Sequence, residues 1–224
     1  MCRKAIIAIY LLLLIPVFCF ARQAPEQQFQ EHLQRWKQFH WLGIAEVNYK
    51  SFALRKYFTL AKNADAARLD LYDSGVFSLT LQPLAAVYLA DSIALFAPSV
   101  KQLDDLDPNW FVPKGFARNL IQFTDSLQVR QQEILTTKKT TYNGLNFLFD
   151  RHYRIVSISY PASDITVKIE YTRKSEPDKI TILISKQGKV ILGVDQRHYT
   201  DIVIEPLLPP PGTQPMDKEL IEPD

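Results

Sequence analysis

Cysteine is almost absent from this chain of 224 residues. Its two cysteines, Cys2 and Cys19, both lie in an apolar segment at the N-terminus. Removal of that segment would leave no disulfide framework, no thiol nucleophile and no cysteine-based metal site. The chain must then be stabilised by its apolar core, and a hydrophobic content of 47% is ordinary for a globular protein.

The chain also lacks the short motifs of the common enzyme classes, including G-x-S-x-G, H-E-x-x-H, Walker A and G-x-G-x-x-G. None of its four histidines is spaced from another as metal ligands usually are on one element. His152 and His198 have similar neighbours, and two loops that bring them together would be compatible with a hydrolase. Two solvated turns are the simpler interpretation. We therefore predict no catalytic residue, no bound metal and no cofactor.

Neither sign of charge is in excess. Lys and Arg number 26 against 24 Asp and Glu, and loss of Arg3 and Lys4 with the N-terminal segment would leave the two signs equal. A near-neutral protein offers no electrostatic basis for binding nucleic acid.

The N-terminal segment, residues 1–21, has the pattern of a secretory signal peptide. Arg3 and Lys4 form a basic start, an apolar run follows, and Ala21 completes a small-residue cleavage site. The run is shorter than the ~20 residues needed to span a bilayer, which disfavours an uncleaved anchor. Lipid modification of Cys19 would attach the protein to the outer membrane, but a bulky Phe precedes that cysteine. We therefore expect secretion across the inner membrane into the periplasm.

The stretch 66–103 is typical of β-strands joined by short turns. Leu69 and Leu71 alternate with charged residues, which places one face of the strand in the core and the other in water. Pro83 is expected to end a strand because proline has no N–H for the ladder. The segment 84–97 is apolar on both faces, so both of its faces must be covered.

The rest of the chain predicts a helix, an inserted cover and further strands. Residues 26–41, His40 included, carry apolar or aromatic side chains at spacings of three and four, as in a packing helix. The insertion 98–136 is rich in turns and contains a second helix that begins at Gly115. Asn143-Gly144 predicts a type I′ hairpin turn. Further strands are expected at residues 42–49, 51–61, 140–142, 145–149, 155–160, 165–171, 180–185, 190–194 and 202–204.

These elements predict a mainly β fold of the α+β class. A curved antiparallel sheet of ten or eleven strands forms an incomplete β-barrel, with an N-terminal helix and a helical lid insertion on its inner side. This domain occupies residues 22–205, after the signal peptide and before a Pro-rich C-terminal tail at 206–224.

Such a sheet has more apolar wall than its short helical insertion can cover. A concave, mostly apolar space with few polar groups suits acyl chains. A fully closed core, in a structural or interaction protein without lipid cargo, is the alternative. The predicted ligand-binding wall consists of Leu69, Leu71, Phe77, Leu79, Leu81, Val87 and Leu89. The predicted lid consists of Trp110, Phe111, Phe116, Leu120 and Phe123.

Three short segments resemble the LolA/LolB group of periplasmic lipoprotein carriers and receptors. Phe39-His40-Trp41 resembles the start of that family's first strand. Leu60-Ala61-Lys62, followed by residues 67–71, resembles its second and third strands. Residues 87–103, with a turn at Asp91, resemble its segment DG-x-x-W-x-Y-x-P-x-x-x-Q.

The resemblance implies a non-enzymatic, monomeric protein that shelters the acyl chains of lipoproteins or lipids beneath a helical lid. It implies partners of two kinds, an inner-membrane release complex or an outer-membrane receptor. Lys62-Asn63 stands where LolA-like carriers have Arg-Pro, and since that arginine is tied to lid control, the resemblance implies this role for Lys62. Asp73-Ser74-Gly75 stands where the LolB-like receptor has a loop with an exposed leucine, and it lacks the apolar tip.

Overall fold

The computed structural model describes residues 24–50, 52–74, 81–90, 93–96, 116–185 and 188–207. The predicted signal peptide and most of the predicted tail lie outside the described residues, so the domain limits remain predictions. No helix in this described part of the chain is both long enough and apolar enough to cross a membrane.

Within these residues, eleven strands form one antiparallel sheet. Their bounds are β1 Phe39–Tyr49, β2 Phe52–Lys62, β3 Ala67–Ser74, β4 Leu81–Leu89, β5 Ile93–Phe96, β6 Lys139–Tyr142, β7 Leu145–Phe149, β8 Ile155–Tyr160, β9 Ile165–Tyr171, β10 Pro177–Ile184 and β11 Gly188–His198. The strand order is β5-β4-β3-β2-β1-β11-β10-β9-β8-β7-β6. The end strands β5 and β6 do not pair with each other, so the sheet is an open, incomplete barrel and confirms the predicted fold class.

The described residues include three α-helices beside the sheet. They are α1 Pro25–Lys37, α2 Phe116–Val129 and α3 Gln131–Thr137, and a short 3-10 helix spans Pro161–Ser163. Proline suits the first position of α1 because the N–H it lacks would have no partner there. The buried residues Phe29, Leu33 and Trp36 recur at helical spacing, so α1 has one stripe that faces the core.

The sheet curves around these helices. The indole of Trp36 on α1 meets that of Trp41 on β1 with ring centroids 5.3 Å apart, and it meets Phe123 on α2 at 6.1 Å. Phe123 in turn stacks on Phe147 of β7 at 5.6 Å. Strands β1 and β7 are five positions apart in the sheet. Two such distant strands reach the same aromatic cluster only because the sheet bends, and α2 lies in the hollow.

The predicted helix over 26–41 extends too far. The helix ends at Lys37, and β1 begins at Phe39. Phe39 and Trp41 are 4% and 0% exposed, and they alternate with the less buried His40, so a period of two prevails here over the helical period. His40 therefore belongs to a strand and not to the helical stripe.

Two strand predictions were also wrong. Pro83 lies inside β4 and does not end a strand, because the register between β3 and β4 shifts at this point and the ladder is already interrupted. Residues 202–204 form no strand, and the backbone there meets side chains of the β2–β3 end. Asn63 Nδ2 donates to the Ile202 carbonyl oxygen at 3.4 Å, and Arg68 Nη1 donates to that of Glu205 at 2.8 Å.

Two glycines meet backbone requirements that other residues would not. Gly144 has φ +78° and Asn143 has φ +45°, so both central residues of the β6–β7 turn have positive φ, as the predicted type I′ turn requires. At Gly43, where the β1–β11 register shifts, an added Cβ would lie 1.9 Å from the Gly193 carbonyl oxygen. A side chain at residue 43 would therefore push β1 and β11 apart.

Candidate ligand-binding face

The strand register divides the sheet into a concave and a convex face, because residues paired across neighbouring strands point to the same side. Ile169 pairs with Ile180, Ile180 with Leu192, and Leu192 with Ala45. All four are buried. This row marks the concave face, where the helices pack.

One half of the concave face is sealed by the helices. The side chains that fill it are less than 2% exposed: Phe29, Trp41, Phe58, Leu127, Ile134, Leu145 and Phe147. The protein's own side chains therefore occupy the space directly beneath the described helices, where an apolar hollow was expected.

The other half of the concave face is only half-buried. Five apolar residues on β9, β10, β11, β1 and β2 pair in succession across the sheet and form what we call the half-buried strip. Its pairs are Val167 with Ile182, Ile182 with Val190, Val190 with Val47, and Val47 with Leu54. Each of these five side chains has intermediate exposure. The strip is thus a continuous apolar surface that the described helices leave partly open.

Sequence reasoning placed the ligand-binding wall on other strands. Alternation shows which side of a strand is apolar, but it does not show how far along the strand a helix reaches. The half-buried strip and the buried row from Ile169 to Ala45 have the same apolar pattern, so only the position of α1 and α2 distinguishes them. The alternation in residues 165–171 and 180–185 was the available signal, but these segments were predicted only as strands.

Only some of the predicted wall residues are described in the structure. Leu60, Leu69 and Val87 pair in succession on the side of Trp41, which is the concave face. Leu69 and Leu71 are partly buried against the core, and Val87 and Leu89 have intermediate exposure. Phe77 and Leu79 lie outside the described residues, and Leu81 is described only as a backbone position in β4.

Of the predicted lid residues, Phe123 is the one whose side chain is described. It is 3% exposed and packs between Trp36 and Phe147. Trp110 and Phe111 lie outside the described residues, and for Phe116 and Leu120 only the α2 backbone is described. The role of the lid as a whole therefore stays a prediction.

Lys62 joins the sheet to two helices. Its side chain is at the end of β2, and the residue is 4% exposed. Nζ donates to the carbonyl oxygen of Lys37, the last residue of α1, at 3.1 Å and lies 5.7 Å from the centre of the Phe123 ring of α2. A cation is favourable at a helix C-terminus and over an aromatic face. Burial nevertheless lowers the pKa of Lys62 to about 8, with Asp125 opposing the shift and Lys37 adding to it.

Two surface depressions border the helices. One of about 290 Å³ is lined by Glu31, Gln34, Arg35 and Tyr199, and one of about 140 Å³ is lined by Ala64, Asp65, Ala90, Arg118, Ile121 and Gln122. Each includes charged side chains, which suits acyl chains poorly. Within the described ranges, no group of three or more His, Asp or Glu side chains is placed to hold a metal ion.

His152 and His198 do not meet. His152 lies exposed in the turn between β7 and β8, whereas His198 ends β11 and lies opposite His40 on β1, with ring centroids 6.2 Å apart. Burial and the neighbouring His198 lower the pKa of His40, while Asp70 opposes that shift. Asp70 is itself paired with Arg68, whose Nη2 lies 2.8 Å from its carboxylate. The close approach that a hydrolase interpretation would need is not present.

No protein-family model and no curated protein matches this chain. Among solved structures, it is similar to a putative outer membrane lipoprotein-sorting protein domain from Vibrio parahaemolyticus. The identity is 12% and the TM-score 0.46, over 80% of this chain and 94% of that one. It is also similar to a DUF1329 family protein from Desulfovibrio piger, at 7% identity and a TM-score of 0.27, over 80% of this chain and 92% of that one. At these TM-scores, neither likeness carries an argument about function.

Proposed function

We propose that this protein is a non-enzymatic carrier or receptor that binds the acyl chain of a lipid or lipoprotein on the half-buried strip. The observation that carries the proposal is the unbroken row of half-exposed apolar residues from Val167 to Leu54 on a concave surface. Apolar surface left in water is unfavourable by about 25 cal/mol per Å². A guest hydrocarbon would remove that cost without any change in the sheet.

The length of the strip suits one acyl chain. Neighbouring strands lie about 4.8 Å apart, so five strands span roughly 19 Å across the strip. The acyl chains of one membrane leaflet fill about 15 Å, half of a hydrocarbon core of ~30 Å. One chain laid across the strands would therefore cover most of the strip.

Lys62 connects the predicted lid to the sheet. Its contacts with Lys37 and Phe123 fasten α2 and the end of α1 to β2. A lid that moves aside to admit cargo would have to release these contacts. We therefore propose Lys62 as the residue that holds the lid, with the predicted wall residues on β3 and β4 extending the binding surface beneath it.

The cellular setting is part of the proposal. A signal-like segment at 1–21 and the resemblance of three segments to periplasmic lipoprotein carriers support a place in the bacterial envelope. There the cargo would be received from an inner-membrane complex or passed to an outer-membrane receptor.

The test uses the methyl ester of cis-parinaric acid, an uncharged acyl probe whose fluorescence rises in apolar surroundings. We expect saturable binding to the wild-type protein. Ile182→Asn, on the strip, is expected to weaken binding by roughly tenfold, because it removes apolar contact area. Leu183→Asn is the matched control, since Leu183 is the next residue of β10, has similar exposure and points to the convex face.

Circular dichroism and the thermal midpoint of each variant show whether the fold is kept. Absence of saturable binding to the wild-type protein would refute the proposal. Equal weakening by Ile182→Asn and Leu183→Asn would show that the probe does not bind the concave face.

A second candidate is an interaction protein that carries no lipid. The sealed half of the concave face favours it, because Trp41, Phe58 and Leu127 fill the space beneath the helices. In that case the strip would be a surface for a protein partner, and extraction of protein purified from cell envelopes would yield no co-purified lipid by mass spectrometry.

A further inference from the structure

An ion pair interrupts the apolar wall of the concave face. Lys56 is on β2 directly opposite the buried Ala45, two residues from Leu54 of the half-buried strip. Its Nζ lies 2.7 Å from Oδ1 of Asp73, which is the last residue but one of β3. A lysine on the inner side of a sheet carries a desolvation cost that the same residue on the outer side would not.

The convex face has a matched ion pair. Arg55, the residue before Lys56, points outward and lies 3.4 Å from Glu46 of β1, its cross-strand partner. The side chain of Arg55 is 73% exposed, whereas that of Lys56 is 21% exposed. The two pairs therefore share strand β2 and lie at neighbouring positions along it, but they reach different neighbouring strands and point to opposite faces.

The two partners of the inner pair are held unequally. Lys56 sits in the interior of β2, while Asp73 is near the end of β3 and its side chain is 44% exposed. Asp73 is the more exposed partner and lies near a strand end, so it can turn into water at smaller cost than Lys56. An ammonium group has three donors, so a largely buried cation with a more exposed counter-ion lies beside the Leu54 end of the half-buried strip.

We propose that Lys56 binds the anionic head group of the cargo, so that the preferred ligands are acyl chains ending in a carboxylate or phosphate. This inference rests on the proposed function, since it assumes that an acyl chain lies on the strip. The ligand oxygen replaces Asp73 at Lys56 Nζ, and the tail extends from Leu54 toward Val167. Asp73 is the resting counter-ion that keeps the lysine paired when the strip is empty.

The test compares cis-parinaric acid, in its carboxylate form, with its methyl ester. The wild-type protein is expected to bind the acid more tightly than the ester by roughly tenfold, the size of one charge-assisted hydrogen bond. Lys56→Met keeps the aliphatic length and removes the charge, so it is expected to abolish the preference for the acid over the ester. Asp73→Asn is expected to tighten acid binding by roughly twofold to fivefold, because it removes a partly exposed competitor.

Arg55→Met is the control, and it is expected to keep the preference for the acid. Equal binding of acid and ester by the wild-type protein would overturn the inference and leave the proposed function intact. A preference for the acid that survives in Lys56→Met would have the same consequence. Loss of the preference in Arg55→Met as well would also overturn it, since the effect would then be one of net charge. If Lys56→Met does not fold, Asp73→Asn decides, and unchanged acid affinity refutes the inference. Failure of both probes to bind the wild-type protein would refute the proposed function itself.

Discussion

The ammonium group of Lys62 is buried, and burial disfavours its charged form. Nζ donates to two backbone carbonyl oxygens, that of Lys37 at 3.1 Å and that of Asn63 at 3.4 Å. The centre of the Phe123 ring lies 5.7 Å from Nζ. These contacts compensate only part of the desolvation, so the pKa falls from its ordinary value of 10.5 to about 8. The folded protein therefore releases this proton more readily than the unfolded chain does.

The sign of the resulting pH dependence follows from proton linkage. Between about pH 8 and 10.5 the unfolded chain keeps a proton on Lys62 that the folded protein has lost, so the free energy of unfolding should rise with pH in that window. Lys62→Met has no proton to lose and should show no such rise. Urea unfolding of both proteins at pH 7.5 and pH 9.5 measures the difference. A wild-type curve that runs parallel to that of Lys62→Met would contradict the prediction.

At the scale of elements, α1 and α2 are attached to the sheet in different ways. From α1, Arg35 Nη1 donates to the Ser175 carbonyl oxygen at 2.7 Å, and Gln38 Nε2, just after the helix, donates to that of Tyr199 at 3.0 Å. The described contacts of α2 with the sheet are side-chain contacts: the stack of Phe123 on Phe147, the approach of Lys62, and one exposed hydrogen bond from Asn143 Nδ2 to Asn119 Oδ1. Of the two helices, α2 is therefore the one that can leave the concave face at lower cost.

Hydrogen exchange tests this difference. Amides of α2 between residues 121 and 127 are expected to exchange through a local opening that costs less free energy than opening of β1 and β11. The central strands are hydrogen-bonded on both sides, whereas α2 is held by its packing and by exposed side-chain bonds, such as that of Asn143 Nδ2 to Asn119 Oδ1 at 2.8 Å. Phe123→Leu should lower protection in α2 alone. Exchange of α2 at the same free energy as β1 and β11 would show that the lid opens only by global unfolding.

Element boundaries show what the sequence could and could not predict. The Asn143-Gly144 turn was predictable because its two positive φ angles demand those residue types. The end of α1 was not, since Phe39 and Trp41 fit an apolar helical stripe as well as a strand. The prediction that Pro83 ends a strand was wrong for a related reason. A register shift tolerates proline within a strand, and register depends on pairing that a single strand's sequence does not contain.

At the scale of the whole molecule, the apolar and polar sides of strands were predictable, but the site was not. Alternation indicated that Leu69 and Leu71 face the core, and both are partly buried against it, but Asp70 on the opposite face was expected in water and is buried beside Arg68. The half-buried strip depends on where α1 and α2 stop along the strands, and Lys56 depends on which side of β2 faces inward. Both are consequences of tertiary packing, which overrides what a local pattern can report.

Cargo binding should also stabilise the folded protein as a whole. A ligand that binds only the folded state at a hundred times its Kd adds about 2.7 kcal/mol to the free energy of unfolding. For a chain of this size, that corresponds to a rise in Tm of roughly 5–10 °C.

The parinaric methyl ester, which lacks a charge, should produce this rise through the strip alone. Ile182→Asn, with an affinity about tenfold weaker, should show about half the rise at the same probe concentration, since the gain is logarithmic in concentration over Kd. Differential scanning calorimetry with and without the probe measures both shifts. A wild-type Tm that does not move at saturating probe would mean that the strip is not a binding surface for acyl chains.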